Sequence, residues 1–249
     1  MEPKVLLLTF AIIFAFLCPI NAATMPDYIQ ICHRNDPKIA ECVKETVHSI
    51  RPHLADGIEE LGVPAMEPLY IGDLNILEGG ANGINVKVKK LNVYGSSNFE
   101  IKKIRASDDA RRFDFELILP YLHGEGNYNI NGQLLGLTLR GNGPFTGNFT
   151  NFYAFVKVIF NVTTVNDVEL IGLKELVVKI RTGSGNVHLQ NLFGNDKTLG
   201  DIINETINQN FELFTNEVIQ PIERALEKKF SAVSSKILDS FTYNELFPL

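Results

Sequence analysis

The sequence predicts an α+β fold: a highly curved antiparallel β-sheet wrapped around one long carboxy-terminal helix, with short amino-terminal helices and an elongated apolar seam between the two layers. Three observations predict it. Leu199, Ile203, Ile207, Phe211, Phe214, Val218, Ile222, Leu226, Phe230, Val233 and Ile237 step by three or four, the period of one helix face. Ile202, Leu213, Ile219, Ala225 and Leu238 widen that stripe beyond a coiled-coil seam, so the helix needs cover on more than one side. Most of the chain before it alternates with period two, as strands do. A continuous helix of this extent runs roughly 60 Å, whereas a compact domain of this size spans about 45 Å, so the protein is expected to be elongated.

Taken in order, Lys4, the apolar run Val5 to Leu17 and the site Ile20-Asn21-Ala22 read as a signal peptide over residues 1–22. The run is about 13 residues, short of the roughly 20 that cross a bilayer. The expected product is therefore secreted and extracellular, a single domain over residues 23–249 with no stable membrane insertion. Of three cysteines, Cys18 falls in the leader, which leaves Cys32 and Cys42 to pair in an oxidising compartment. Closing so short a loop contributes roughly 3 kcal/mol, enough to fix the amino-terminal arm. Asp36 and Pro37 suit an N-cap and a first helical position, with Ile39, Val43, Val47 and Ile50 following at helical spacing until Pro52 interrupts. A second short helical stretch carries Leu54, Ile58 and Leu61 and stops at Gly62.

From Leu69 the period changes to two. Ile84, Val86 and Val88 alternate with polar residues, and the phase then flips to Leu91 and Val93, as a bulge between Val88 and Leu91 would cause. The clearest strand holds Phe113, Phe115, Leu117 and Leu119 and is expected to end at Pro120. Tyr128, Ile130 and Leu134 come next, followed by a phase switch to Leu135, Leu137 and Leu139. Gly141, Gly143, Pro144 and Gly147 punctuate an expected hairpin. Ala154, Val156, Val158, Phe160 and Val162 then share a face opposite Tyr153, Lys157 and Asn161, so Asn148 either lies in a turn or precedes a phase break near Tyr153. Leu176, Val178 and Ile180 end the strand region, Gly183-Ser184-Gly185 turns the chain, and everything beyond is expected to be helical. Within the long helix, Pro221 should bend or restart it.

Candidate chemistry is sparse. The chain has no G-x-S-x-G elbow, and His33, His48, His53, His123 and His188 show no metal-ligand spacing, so neither catalysis nor a metal or other cofactor is expected. A net charge of −6 without a basic patch argues against nucleic acid as a partner. The sequons at Asn148, Asn161 and Asn204 make at least one glycan expected on a secreted chain. A long helix against a curled sheet must fill its seam with side chains or leave part of it open for a hydrophobic molecule.

Five features resemble the takeout and juvenile-hormone-binding-protein family of insects: the ending Phe241-Thr242-Tyr243-Asn244-Glu245-Leu246-Phe247-Pro248, the near-amino-terminal cysteine pair, Leu91-Asn92-Val93-Tyr94-Gly95, the run Gly126 to Leu135, and Asn191-Leu192-Phe193-Gly194-Asn195. The resemblance implies a sheet curled about the helix, a tunnel for terpenoid hormones, fatty acids or similar lipids, and a disulfide beside one tunnel mouth. Haemolymph juvenile-hormone carriers usually have a second disulfide, so two mature cysteines place the chain nearer the takeout branch. The expected lining is Phe113, Phe115, Leu117, Tyr128, Leu134, Val156, Phe160 and Val178 from the sheet, with Phe211, Phe214, Val218 and Leu226 from the helix. The reading is a non-enzymatic carrier of a hydrophobic small molecule. A secreted structural or signalling protein with a self-filled core, and a lipid-ester hydrolase, are the alternatives.

Overall fold

The computed structural model describes residues 25–79, 83–194 and 196–249, so the expected signal peptide lies outside the described residues. Helix α1 (Ile39–Leu54) is followed by strands β1 (Leu69–Glu78), β2 (Asn85–Tyr94), β3 (Glu100–Ala106), β4 (Arg112–Leu134), β5 (Leu137–Val165), β6 (Val168–Arg181) and β7 (Ser184–Leu189). Helices α2 (Lys197–Gln209), α3 (Phe211–Leu238) and α4 (Tyr243–Leu246) complete the chain. All seven strands join one antiparallel sheet in the order β1-β2-β4-β5-β6, with β3 paired to β4 and β7 to β5. Helix α3 touches both β1 and β6, and so closes the gap between the two edges of the curled sheet.

The amino-terminal arm departs from expectation in three details. Helix α1 begins at Ile39, two residues late, because Asp36 Oδ1 accepts the Lys38 N–H at 2.8 Å in a preceding turn. Pro52 does not interrupt it; it sits in the last turn, where its missing N–H affects only the exposed His48 carbonyl. The second helical stretch shrinks to a 3-10 turn, Glu59–Leu61, closed by Gly62 at φ +64.

The sheet is built on a hairpin of unusual length. Strands β4 and β5 span 23 and 29 residues, joined by the two-residue turn Leu135-Gly136, both at positive φ as a type I′ turn requires. The expected phase switch at Leu135 is this turn. The glycines from Gly141 to Gly147 are not a hairpin but lie inside β5. A Cβ on Gly141 would sit 2.8 Å from the Asn191 carbonyl oxygen and from the Tyr128 hydroxyl, so glycine here admits the segment 190–192 against the strand. Nor does Pro120 end β4. Leu119 pairs with Phe152 and Tyr121 with Thr150, so Pro120 faces Asn151, which adopts φ +56. At that level the inward face swaps from odd to even positions along each strand, Leu119 to Leu122 in β4 and Phe149 to Phe152 in β5, which is the phase break near Tyr153. The expected bulge between Val88 and Leu91 is present, with Lys90 at φ +53 and its N–H on Asp73 Oδ1.

The carboxy-terminal region is not one helix, nor is it wholly helical after Gly185. Residues 184–189 form β7, and the stripe breaks at Asn210 (φ −116, ψ 34), whose N–H reaches the carbonyls of Thr206 and Ile207. Helix α3 then continues through Pro221 for 28 residues without restarting.

The helices are fastened to the strands β6 and β7 by side chains that act as strand mimics. Asn204 Oδ1 accepts the Leu189 N–H at 2.9 Å and its Nδ2 donates to the Leu189 carbonyl; Asn208 does the same for Val187. Four residues apart on α2, the two amides occupy alternate backbone sites of β7. On α3, Glu223 Oε1 accepts the Ile180 N–H at 2.8 Å and Glu227 Oε1 accepts the Val178 N–H at 3.0 Å. Such i, i+4 pairs lie on one helix face, and they satisfy donors that an edge strand otherwise leaves open.

Candidate ligand cavity

Between the sheet and α3 lies a cavity of about 570 Å³. Its walls alternate along the strands as the pleat dictates. Strands β1 and β2 contribute Leu69, Ile71, Ile76, Val86, Val88, Leu91 and Val93; β4 contributes Leu117, Leu119 and Leu122; β5 contributes Phe145, Phe149, Phe152, Ala154 and Val156. Leu176, Val178, Ile180 and Val187 come from β6 and β7, and Val218, Ile219, Ile222, Leu226, Phe230 and Val233 from α3. The polar side chains among the lining residues are Ser96, Thr215 and Ser234. From Thr215 to Ser234 the helix covers 19 steps, so the cavity follows roughly 28 Å of its axis.

Packed side chains stand toward both ends. At one end Tyr128, Ile130 and Leu139 meet Ile203, Ile207 and Phe214, and the buried Tyr128 hydroxyl donates to the Gln190 carbonyl at 2.6 Å. Burial pushes the Tyr128 phenol up to about 12. At the other, Phe113, Phe160 and Phe247 form an aromatic cluster with centroids 5.7–6.3 Å apart. The carboxy-terminal tail that supplies Phe247 is pinned by Arg34, whose N–H donates to the Pro248 carbonyl and whose guanidinium stacks 4.5 Å over Tyr243. Cys32 and Cys42 are joined, with Cα atoms 5.8 Å apart, and Cys32 packs with Ile39, Ala110 and Phe113 on the far side of that cluster.

Five of the twelve expected lining residues therefore stand in the walls: Leu117, Val156, Val178, Val218 and Leu226. The other seven do not. Phe113 and Phe160 belong to the aromatic cluster, with Phe115 packed on it. Tyr128, Leu134 and Phe214 build the opposite end, and Phe211 sits 6.0 Å from the Phe149 ring. The physical reason is position along the fold rather than face: most of these side chains point inward, but they lie where the carboxy-terminal tail with Phe247, or helix α2 with Ile203 and Ile207, already fills the space. Sequence reasoning missed Phe145, Phe149 and Phe152, although the alternation of Val86, Val88, Leu91 and Val93 was a usable signal for β2.

The three sequons differ in setting. Asn161 is exposed on β5, beside Gly172 of β6. Asn148 is half-buried, its Oδ1 held by Tyr121 and His123. Asn204 is only 7% exposed and its Nδ2 donates to both Leu189 and Gly200, which leaves no room for a glycan on the folded chain. Among the described residues no group of three His, Cys, Asp or Glu is placed to hold a metal ion. Among them, too, no helix is long and apolar enough to cross a membrane.

A curled antiparallel sheet closed by a carboxy-terminal helix is an arrangement found in known proteins. The family model for haemolymph juvenile hormone binding protein (JHBP) matches residues 6–248. The chain belongs to that family. Takeout 1 of Epiphyas postvittana, a crystal structure, shares the fold with a TM-score of 0.77 and 20% identity over 89% of this chain and 100% of that one. The circadian clock-controlled protein daywake of Drosophila melanogaster is 24% identical, covering 92% of this chain and 91% of its own length. A Schistocerca gregaria protein provisionally named as β-carotene-binding is 23% identical over 49% of each chain.

Proposed function

We propose that the protein is a secreted carrier that sequesters an extended hydrophobic small molecule, such as a terpenoid or another lipid, in the cavity along α3. The observation that supports this most is a long void that the protein's own side chains leave unfilled, with walls almost wholly apolar. At roughly 25 cal/mol per Å², each 100 Å² of ligand surface buried there contributes about 2.5 kcal/mol without a specific polar partner. The cavity follows roughly 28 Å of the helix axis, a length that suits an extended ligand. The family and the β-carotene-binding name of one relative support the same ligand class.

Solvent extraction of the purified secreted protein followed by mass spectrometry tests the reading directly. A stoichiometric apolar compound is the expected result. Because the chain lacks Trp, Phe149→Trp or Phe230→Trp gives a clean reporter in the wall. Its emission should respond to an added polyene, whereas Phe214→Trp, in the packed cluster beyond the cavity, should respond less. Failure of both wall reporters to respond, with no extracted compound, would refute the carrier reading.

A further inference from the structure

We infer that the cavity selects neutral lipids over ionised ones and takes the ligand's polar end at Ser96 and Ser234. The inference rests on the carrier reading and concerns which ligand that same cavity accepts. No lysine, arginine or histidine stands among the described lining residues, and no carboxylate does either. A carboxylate drawn into such a space would lose its hydration and gain no counter-ion, a cost that apolar burial of the tail must overcome. An alcohol, ester or ketone carries no such penalty, and needs only one or two hydrogen bonds.

Those bonds are available at one end. Ser96 follows β2, whose Val93 pairs with Leu69 at the start of β1. Ser234 lies in the last two turns of α3, where Ile237 packs with Ile58 and Leu61 near that same strand start. The two hydroxyls thus share the end of the cavity beside the amino-terminal arm. Ser96 is buried and donates to the Met66 carbonyl at 2.5 Å, which leaves its oxygen lone pairs to accept. Ser234 lines the cavity and makes no side-chain hydrogen bond among the described residues, so its proton is available to donate there. Thr215, at the opposite end, spends its hydroxyl on the Phe211 carbonyl. One end therefore offers a donor and an acceptor, whereas the other, where Thr215 keeps only its lone pairs, offers no donor.

The test uses the full secreted chain, stripped of lipid, with four probes at pH 8: parinaric acid, its methyl ester, parinaryl alcohol and the hydrocarbon diphenylhexatriene. The ester and alcohol should bind more than about tenfold tighter than the ionised acid. Ser234→Ala should weaken the ester and alcohol about three- to tenfold, the worth of one hydrogen bond, and leave the hydrocarbon unchanged. Ser234→Thr, which keeps the hydroxyl, should restore the neutral probes. Acid bound as tightly as ester would overturn the inference, and loss of that tight acid binding in Lys236→Ala would place the carboxylate outside, beside Gly62. Equal loss for hydrocarbon and alcohol in Ser234→Ala would also overturn it. If diphenylhexatriene and the ester both fail to bind the wild-type protein, the carrier reading fails instead.

Discussion

Helix α3 is held differently on its two flanks. Toward β6, Glu223 and Glu227 accept the Ile180 and Val178 N–H groups, and Lys179 Nζ adds an ion pair to Glu223 at 2.8 Å. Toward β1, no hydrogen bond joins helix and strand among the described residues, and contact is made by apolar side chains such as Leu69, Ile71 and Ile76 facing the cavity. A directional bond fixes both register and distance, whereas apolar contact fixes neither and re-forms after sliding. The β6 flank is thus directionally fastened, and the β1 flank is held by apolar contact alone.

The largest effect is expected where the fastening is most buried. Asn204→Ala removes both bonds to the Leu189 backbone and strands two polar groups, at about 2–3 kcal/mol. Urea unfolding should register that loss, while Asn208→Ala, in a more exposed place, should cost less. An Asn204→Ala protein as stable as wild type would show that β7 does not depend on α2. Next comes Glu223→Ala, expected to cost about 2 kcal/mol because the carboxylate is 5% exposed and serves a backbone donor. Native-state hydrogen exchange should then accelerate at Ile180 but not along β1, and ligand release should quicken. Equal acceleration on both flanks would erase the distinction between them.

Pro221 offers a smaller test, since it lies two residues before the Glu223 fastening and beside the wall residues Ile219 and Ile222. Helix propensity alone favours alanine by about 3 kcal/mol. Restoring the N–H to Glu217 would also tighten the turn that aims Ile222 at the cavity and Glu223 at β6. We expect Pro221→Ala to lower the melting temperature modestly and to weaken ligand binding. A higher melting temperature with unchanged affinity would mean that the proline is only tolerated.

The same contrast explains what the sequence made legible. Alternation identified the strands that carry the walls, because Leu117 and Leu119 in β4, and Leu176, Val178 and Ile180 in β6, stand at alternate positions on the cavity side. It could not locate the swap at Pro120 and Asn151, since proline and a cluster of glycines normally punctuate strands, and here they let one hairpin run on under the segment 190–192. The break at Asn210 was equally hidden, because the apolar stripe continues across it. Long-range fastening lay beyond any local pattern. Glu223, Glu227, Asn204 and Asn208 read as ordinary polar positions until the strand edges they serve are in place. Only the aromatic ending, with Phe247, hinted that the space beside Phe113 was already taken.

The smallest effect isolates the charge in the β6 fastening. The hydrogen bond to Glu223, and then its negative charge, raise the Lys179 ammonium above 10.5. A base whose folded value is raised contributes stability that is complete below its unfolded value and is lost as pH rises through the folded one. Lys179 is 62% exposed, so solvent screening holds the contribution to less than about 1 kcal/mol. Glu223→Gln keeps an acceptor for Ile180 and removes the charge, so wild type should exceed it in stability at pH 8 and the gap should narrow above about pH 10.5. Tyr128, pushed up from 10.0 to about 12 by burial, also destabilises the folded state over that range, because the unfolded phenol ionises first. Both proteins share that loss, and it cancels in the difference. Melting curves of the pair from pH 8 to 11 therefore read the ion pair alone, and a gap that stays constant would assign the fastening to the backbone hydrogen bond without the lysine.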